Sequence, residues 1–590
     1  MSLVQTIDWV ALAPPTVVAV TAVAVLLTDL FLPEARKRHL GTVAVAGLAL
    51  ALLTLLPLQR GDRTTFCLAD RPDVCSYSAD TFAVVIQLIV LGGALIAALL
   101  TLPELTRQRG DDATGALPRG EFWFLLLASA SGAALLPAAR DLATLILAME
   151  VTTLPAYALV ALRRGDRLGP EAALKFFLTS VVATAVTLLG ISFVYAGSGS
   201  LFLGGIADGL ATAAPALDAL VRAGVVLTLV GFAFKTAAVP FHFWVPDTYL
   251  GAPLPVAAYL SVVSKTAGLA GLILVTSVAF PDLGGTWGPV LVVLAALTMT
   301  AGNVAALRTD PDRERSTVRL LAWSSVAQAG YLLVPLAAAG YAQDADGRSA
   351  AVGAAVAYAV MYAAVNLGTF AVAVHVAGRA GRHRLTDHRG LHDRNPLTAL
   401  ALGFFLLCLA GLPPGVAGLF AKIAVIRSAV QAELAVLAVV AAVNVVIALV
   451  YYLRWAALLF RPAAASAPDT PARPEPHGAP APTVGVPTAE SVPEPESVPE
   501  PEFAPVPAGP VGAAGPTGAV RSASTPRGAQ PASEGRAAAV TGAHDADTAP
   551  RAPRPAVPVA VAIAVTALLA LALSVAPQLM LALTSPGTLF

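Results

Sequence analysis

VVLTLVGFAFKTAAVPFHFWVPDTYLGAPLPVAAYLSVVSKTAGL, from Val225 to Leu269, contains two apolar runs of membrane-crossing character, each carrying one lysine. Lys235 follows LTLVGFAF and Lys265 follows VAAYLSVVS. A charged side chain at mid-bilayer costs roughly 3 kcal/mol on insertion scales, so such residues are rare and mark functional positions by default. Between the lysines lie Pro240, Pro246, Pro253 and Pro255. Proline removes a backbone donor and breaks helices, and inside a membrane that is tolerated only where protein or water satisfies the freed groups. A buried cation beside a broken helix suggests an ion path.

Composition extends this reading to the whole chain. Of 590 residues, 57% are hydrophobic and 13% charged, with a mean hydropathy of +0.74, which indicates a polytopic membrane protein. Basic and acidic side chains balance at 37 each, so net charge points to no nucleic acid and no acidic partner. The lysines are Lys37, Lys175, Lys235, Lys265 and Lys422, and the last three fall within apolar runs. Arginine, which stays protonated, fills the loops. Lysine, whose charge is lost readily on desolvation, sits where a proton can be exchanged. Cys67 and Cys75 share the second loop, either as a disulfide if that loop faces an oxidising side or as free thiols, and Cys408 lies in a span. The first apolar run, from about Ala11 to Leu32, lacks a basic n-region and is long enough to cross, so no cleavable signal peptide is expected.

Apolar segments of crossing length recur at 11–33, 40–58, 80–104, 120–138, 141–162, 171–196, 222–249, 253–279, 287–307, 318–340, 350–377, 397–428, 433–460 and 556–583. The expected fold is all-α, with about fourteen transmembrane helices. Helix 7 is broken near Pro240 and helix 12 at Pro413-Pro414. Arginines concentrate in the loops after helices 1, 3, 5, 9 and 11, as in Arg163, Arg164 and Arg167 or Arg308, Arg313, Arg315 and Arg319. The positive-inside rule makes those loops cytoplasmic and puts both termini on the outer face. From 462 to 554 the chain is rich in Pro, Ala, Gly, Ser and Glu and repeats SVPEPE in tandem (Ser491–Glu496, Ser497–Glu502), so it is expected to be a disordered cytoplasmic linker. One helix follows it.

Four intramembrane ionisable residues stand out: Glu150 in ILAMEVTTLPAYAL, Lys235, Lys265, and Lys422 in PPGVAGLFAKIAVI. Each can be read as ion-pair glue or as a lysine reaching an interface, but one carboxylate cannot neutralise three lysines. Lys235 lies five residues before Pro240 and Lys422 eight after Pro414. The two broken helices are five apart, and that odd offset makes them opposite in direction. Paired broken helices in two halves of a chain point to inverted repeats around a mid-membrane ion site. The resulting division is 1–119 for helices 1–3, 120–280 and 281–461 for two inverted five-helix repeats, 462–554 for the linker and 555–590 for helix 14.

Lys235-Thr-Ala-Ala-Val-Pro-Phe-His-Phe-Trp-Val-Pro-Asp, continuing through Gly251-Ala-Pro-Leu-Pro to Ser264-Lys265, resembles the signature of the antiporter-like membrane subunits of respiratory complex I, the NADH–quinone oxidoreductase. Arg319-Leu-Leu-Ala-Trp-Ser-Ser-Val-Ala-Gln-Ala-Gly-Tyr331, Gly411-Leu-Pro-Pro-Gly-Val-Ala-Gly-Leu-Phe-Ala-Lys422 and Glu171-Ala-Ala-Leu-Lys175-Phe-Phe are similar to three further family blocks. Within the family, the helix-12 lysine and the lack of a long amphipathic helix after helix 14 favour the N branch over M and L. The resemblance implies a proton-translocating subunit in a bacterial plasma membrane, beside other membrane-arm subunits. Flavin, iron–sulfur clusters and quinone are then expected in partner subunits, with no cofactor in this chain. It further implies that Glu150 and Lys235 form a pair whose coupling sets the lysine's proton affinity, that Lys265 is a bridging lysine and that Lys422 is the outlet. His242 either wets the cytoplasmic inlet or is an interfacial structural histidine. Gln328 stands where the family usually carries histidine; glutamine holds a water but takes up no proton, so the link from Lys265 to Lys422 must use water or another residue. Two other readings are a monovalent cation/proton antiporter and a purely structural membrane subunit.

Overall fold

The computed structural model describes residues 7–107, 116–380, 383–462 and 555–582. The expected linker therefore lies, from 463 onward, outside the described residues. Helices occur at α1 (Trp9–Phe31) and α2 (Leu40–Leu53), then at α3 (Thr81–Arg107), α4 (Arg119–Leu135), α5 (Leu142–Ala161) and α6 (Leu168–Ser198). The seventh is split into α7a (Asp218–Thr236) and α7b (Trp244–Gly251), and α8 occupies Leu254–Ala279. Then come α9 (Gly284–Leu307), α10 (Ser316–Ala339) and α11 (Ala345–Ala380). The twelfth is split into α12a (Pro396–Ala410) and α12b (Val416–Gln431), followed by α13 (Ala435–Phe460) and α14 (Val557–Val575). Among the described residues, 13 helices are long and apolar enough to cross a membrane. The remaining segment read from the sequence, 397–428, is the pair α12a and α12b. The chain is a multi-pass membrane protein, and its described residues are almost wholly α-helical.

Local chemistry sets the helix ends. The Asp8 carboxylate accepts from the backbone N–H groups of Val10 (2.9 Å) and Ala11 (3.1 Å) and so starts α1. Asp141 caps α5 in the same way through Thr144 N (2.8 Å), which resolves the junction after α4. Departures from all-α are small. Arg63–Cys67 (β1) pairs antiparallel with Cys75–Ala79 (β2), with Cys67 opposite Cys75, and those two cysteines form a disulfide. Arg63 reaches back to Asp8 at 2.8 Å and ties the hairpin to α1. A short helix, Leu203–Ala211, lies between α6 and α7a, in the stretch between the sixth and seventh expected crossing segments.

Burial ranks the helices. In their apolar windows α10 and α8 are 94% and 89% buried, against 33% for α6 and α14. The inner helices are nevertheless not uniformly apolar: α10 buries Ser324, Ser325 and Gln328, and α8 buries Ser261, Ser264 and Lys265. A polar axis inside apolar surroundings must satisfy its own hydrogen bonds, and those bonds define the site.

Candidate functional site

The break in α7 comes first. α7a ends at Thr236, Ala237 takes a left-handed backbone conformation (φ 66°), and Pro240 has no N–H to continue the helix. The freed groups find partners: the Phe234 carbonyl accepts from the Trp244 indole at 2.9 Å, and Val239 N donates to Thr298 Oγ1 at 2.8 Å. Lys235 thus lies in the last turn of α7a, at the negative end of that helix's dipole. It is buried, and its ammonium donates to Ser180 Oγ on α6 at 2.6 Å. The rings of Phe234, Tyr157 and Phe176 stand 5.1, 5.9 and 5.9 Å from Nζ, within cation–π range.

Glu150 on α5 is half-buried and faces the same side of α6. Thr184 Oγ1 donates to Glu150 Oε1 at 2.7 Å, and Thr153 Oγ1 lies 3.4 Å from Oε2. The carboxylate and the ammonium are therefore not in direct contact; one turn of α6, Ser180 to Thr184, holds one at each end. The sequence signal was available in LTSVVATAVT, where Ser180, Thr184 and Thr187 recur at helical spacing through an apolar run.

Lys265 follows a wide helical turn, Leu260–Ser264, a local irregularity that is frequent at functional positions. Its ammonium donates to the Ser325 carbonyl of α10. Three residues on, Gly268 packs against α7a so closely that a Cβ there would sit 2.7 Å from Lys235 Cβ. That contact brings the helices of the first two lysines together. Ser325 Oγ shares hydrogen bonds with Tyr362 (2.9 Å) and Tyr249 (3.3 Å). Around Ser261, Tyr362 OH donates to the carbonyl at 3.2 Å and Asn366 Nδ2 to the hydroxyl at 2.7 Å.

Next to Ser325, Ser324 Oγ is 2.6 Å from Tyr452 OH on α13. Tyr452 accepts from Gln328 Nε2 at 3.0 Å, and Gln328 Oε1 accepts from Tyr358 OH on α11. The Tyr358 ring stacks on Tyr331 (6.0 Å between centroids), whose ring lies 5.3 Å from Lys422 Nζ. Lys422 on α12b is buried and donates to the carbonyls of Leu409 (2.8 Å) and Ala410 (2.9 Å). Those are the last carbonyls of α12a, released by the break, and a lysine near a helix C-terminus is their natural donor. Gly411 makes this possible: with φ 81° it turns the chain out of α12a, and a Cβ there would meet Lys422 Cδ at 2.9 Å.

Among the described residues, no carboxylate lies within 4.0 Å of Lys235, Lys265 or Lys422. Lys175, by contrast, is exposed and paired with Glu171 (2.8 Å) and Asp247 (2.9 Å). His242 lies in the break between α7a and α7b, half-buried, with its ring 5.6 Å from Trp323. Trp323 lines a cavity of about 470 Å³ together with Arg308, Asp310, Arg313 and Arg319. No group of three or more His, Cys, Asp or Glu side chains suited to a metal occurs among the described residues.

A membrane body with two interrupted helices, and buried lysines held by hydroxyls and carbonyls, has the character of an ion-translocating subunit of antiporter type. The NADH:quinone oxidoreductase/Mrp antiporter transmembrane family matches residues 139–448, and the chain belongs to that family. It is 65% identical over 469 residues to NADH-quinone oxidoreductase subunit N 2 of Streptomyces griseus, covering 80% of this chain and 85% of that protein. Its identity to NADH-quinone oxidoreductase subunit N of Salinispora tropica is 48% over 479 residues, 80% of this chain and 89% of that one. Among solved structures, a chain of respiratory complex I from Thermus thermophilus superposes with a TM-score of 0.65 at 29% identity, covering 97% of this chain and 100% of that chain. A chain of the Mrp complex from Dietzia shares the fold, with a TM-score of 0.71 at 21% identity over 97% and 96% of the two chains.

Proposed function

We propose that this chain is a proton-translocating membrane-arm subunit of NADH–quinone oxidoreductase in a bacterial plasma membrane, working beside the other membrane-arm subunits. Electron transfer through flavin and iron–sulfur clusters to quinone belongs, on this reading, to partner subunits. The observation that carries it is the run of side chains from Lys235 through Lys265 and the Ser–Tyr–Gln cluster to Lys422. Three buried ammonium groups held by neutral acceptors are a costly arrangement for mere cohesion. Groups that must gain and lose protons have a reason to be there.

In this reading the arginine-rich face is cytoplasmic, both termini lie outside, and protons come in beside His242 and the cavity of Trp323. They load a lysine in the first five-helix set (α4–α8), cross on the central polar axis and leave from Lys422 in the second set (α9–α13). The broken helix is the fourth of each set, which supports the inverted-repeat division. Because α7 and α12 run in opposite directions, a lysine before one break and after the other lie toward the same side of the membrane. Glu150 acts on Lys235 through Ser180 and Thr184 rather than by touching it, so a small shift of α6 changes how strongly the carboxylate favours the charged lysine.

The experiment is proton pumping by the assembled complex in proteoliposomes driven by NADH. Glu150→Ala and Lys235→Ala should each cut pumping sharply while the complex still assembles; unimpaired pumping in either overturns the assignment. Sodium-dependent proton flux by this chain without the NADH dehydrogenase would identify a cation/proton antiporter instead.

A further inference from the structure

A groove of about 680 Å³ opens on the arginine-rich face between the end of α9, the start of α10 and the end of α13. Leu307, Val450 and Leu458 form part of its apolar floor, and Arg389, Arg454 and Arg461 border it. Among the described residues, none of these three arginines has a carboxylate within 4.0 Å. The rest of α13 extends the floor. Val436, Val439, Val443, Val446, Val450 and Leu453 are all exposed and recur at alternating spacings of three and four residues, so they form one apolar stripe running along the helix into the groove. Arg454 lies one step beyond the last of them, and Arg461 caps the helix two turns further on.

We propose that this groove binds an anionic phospholipid, its phosphate among Arg389, Arg454 and Arg461 and an acyl chain along the α13 stripe. Charge and position select this occupant. Three guanidinium groups with no counter-charge among the described residues call for an anion, and arginine forks suit phosphate oxygens. Arg454 and Arg461 lie in the last two turns and at the C-cap of α13, and Arg389 lies in the connection between α11 and α12a; this is the level of the headgroups, and the stripe leads from it in the direction an acyl chain takes. A soluble anion satisfies the arginines but leaves the stripe unused. A neighbouring apolar helix covers the stripe but leaves the arginines without a partner.

The test uses the purified, assembled complex in nanodiscs. Phosphatidylglycerol with a photoreactive diazirine in its acyl chain is compared with the matching phosphatidylcholine probe, and labelled peptides are mapped by mass spectrometry. The expected result is labelling within Val436–Arg461, stronger for phosphatidylglycerol by about tenfold. That labelling should fall by a similar factor in Arg454→Gln/Arg461→Gln and in Ala457→Phe, which fills the groove and leaves the arginines in place. NADH oxidation by each variant complex shows that it has assembled. Equal labelling by the two lipids, no labelling of α13, or loss of labelling on adding millimolar inorganic phosphate each overturns the proposal; the last result assigns the arginines to free phosphate.

Discussion

Ser180 and Thr184 stand one turn apart on α6 and hold opposite charges: Ser180 accepts from the Lys235 ammonium at 2.6 Å, and Thr184 donates to the Glu150 carboxylate at 2.7 Å. The two hydroxyls fix how far apart the charges rest. A rotation of α6 moves both contacts together, because residues at i and i+4 share one helix face. On the proposed function, this turn is where a neighbouring subunit would act on the first lysine without touching it.

Ser180→Ala removes the hydroxyl that accepts from the Lys235 ammonium. A hydrogen bond to a charged group is worth about 1.5–3 kcal/mol, and 1.4 kcal/mol is about tenfold in an equilibrium. Pumping per NADH oxidised should fall about tenfold in a complex that still assembles, and Ser180→Thr, which keeps a hydroxyl, should restore most of it. Unchanged pumping in Ser180→Ala would show that the contact is only packing.

Gln328 makes a second separable claim. It accepts from Tyr358 and donates to Tyr452, so it bridges two aromatic hydroxyls. Gln328→Leu leaves both tyrosines with an apolar neighbour and should reduce pumping by about an order of magnitude, on the same scale of buried hydrogen-bond loss. Gln328→His keeps polar atoms at that point and should retain pumping. If Leu and His behave alike, protons do not pass this point by way of residue 328.

The lysines, the breaks and nearly every crossing segment are legible in the sequence, because lysine in a long apolar run is a strong local signal and Pro240 and Pro413-Pro414 lie close to two such lysines; a proline pair alone is not enough, since Pro14-Pro15 sit inside the unbroken α1. The tyrosines of the cluster are not legible. Tyr249, Tyr358, Tyr362 and Tyr452 come from α7b, α11 and α13, and an aromatic side chain in a span reads equally well as packing. Only their convergence on Ser324, Ser325 and Gln328 gives them a role. The family resemblance implies that Glu150 and Lys235 are a coupled pair; the sequence does not show that α6 stands between them, since that depends on how three helices pack. The sequence leaves the disulfide open for a similar reason: nothing local in Cys67 or Cys75 says that the chain between them forms a hairpin that sets them opposite each other.

Gly268 tests whether the closeness of α7a and α8 matters. Its absent Cβ would lie 2.7 Å from Lys235 Cβ and 2.9 Å from the Lys235 carbonyl carbon, so the opposing atoms are not flexible side-chain ends. Gly268→Ala must separate the helices and should cost about 1–3 kcal/mol, as overpacking of a tight interior does. A lower melting temperature of the complex and reduced pumping are expected together. Gly92→Ala, where nothing lies within 4 Å of the new Cβ, is the matched control and should change neither.

Lys422 separates holding a helix end from carrying a proton. Its ammonium caps the Leu409 and Ala410 carbonyls that the break in α12 leaves free, so part of its value is structural. Lys422→Gln keeps a donor for those carbonyls but has no exchangeable charge, and it should assemble normally yet pump poorly. Lys422→Glu can still titrate, although its ionised form faces carbonyl oxygens at a helix C-terminus, an arrangement that disfavours negative charge. It should therefore pump less than the native protein but more than Lys422→Ala or Lys422→Gln. The order native, Glu, then Gln and Ala together is the signature of a proton carrier. Full pumping by Lys422→Gln would leave the residue only its capping role.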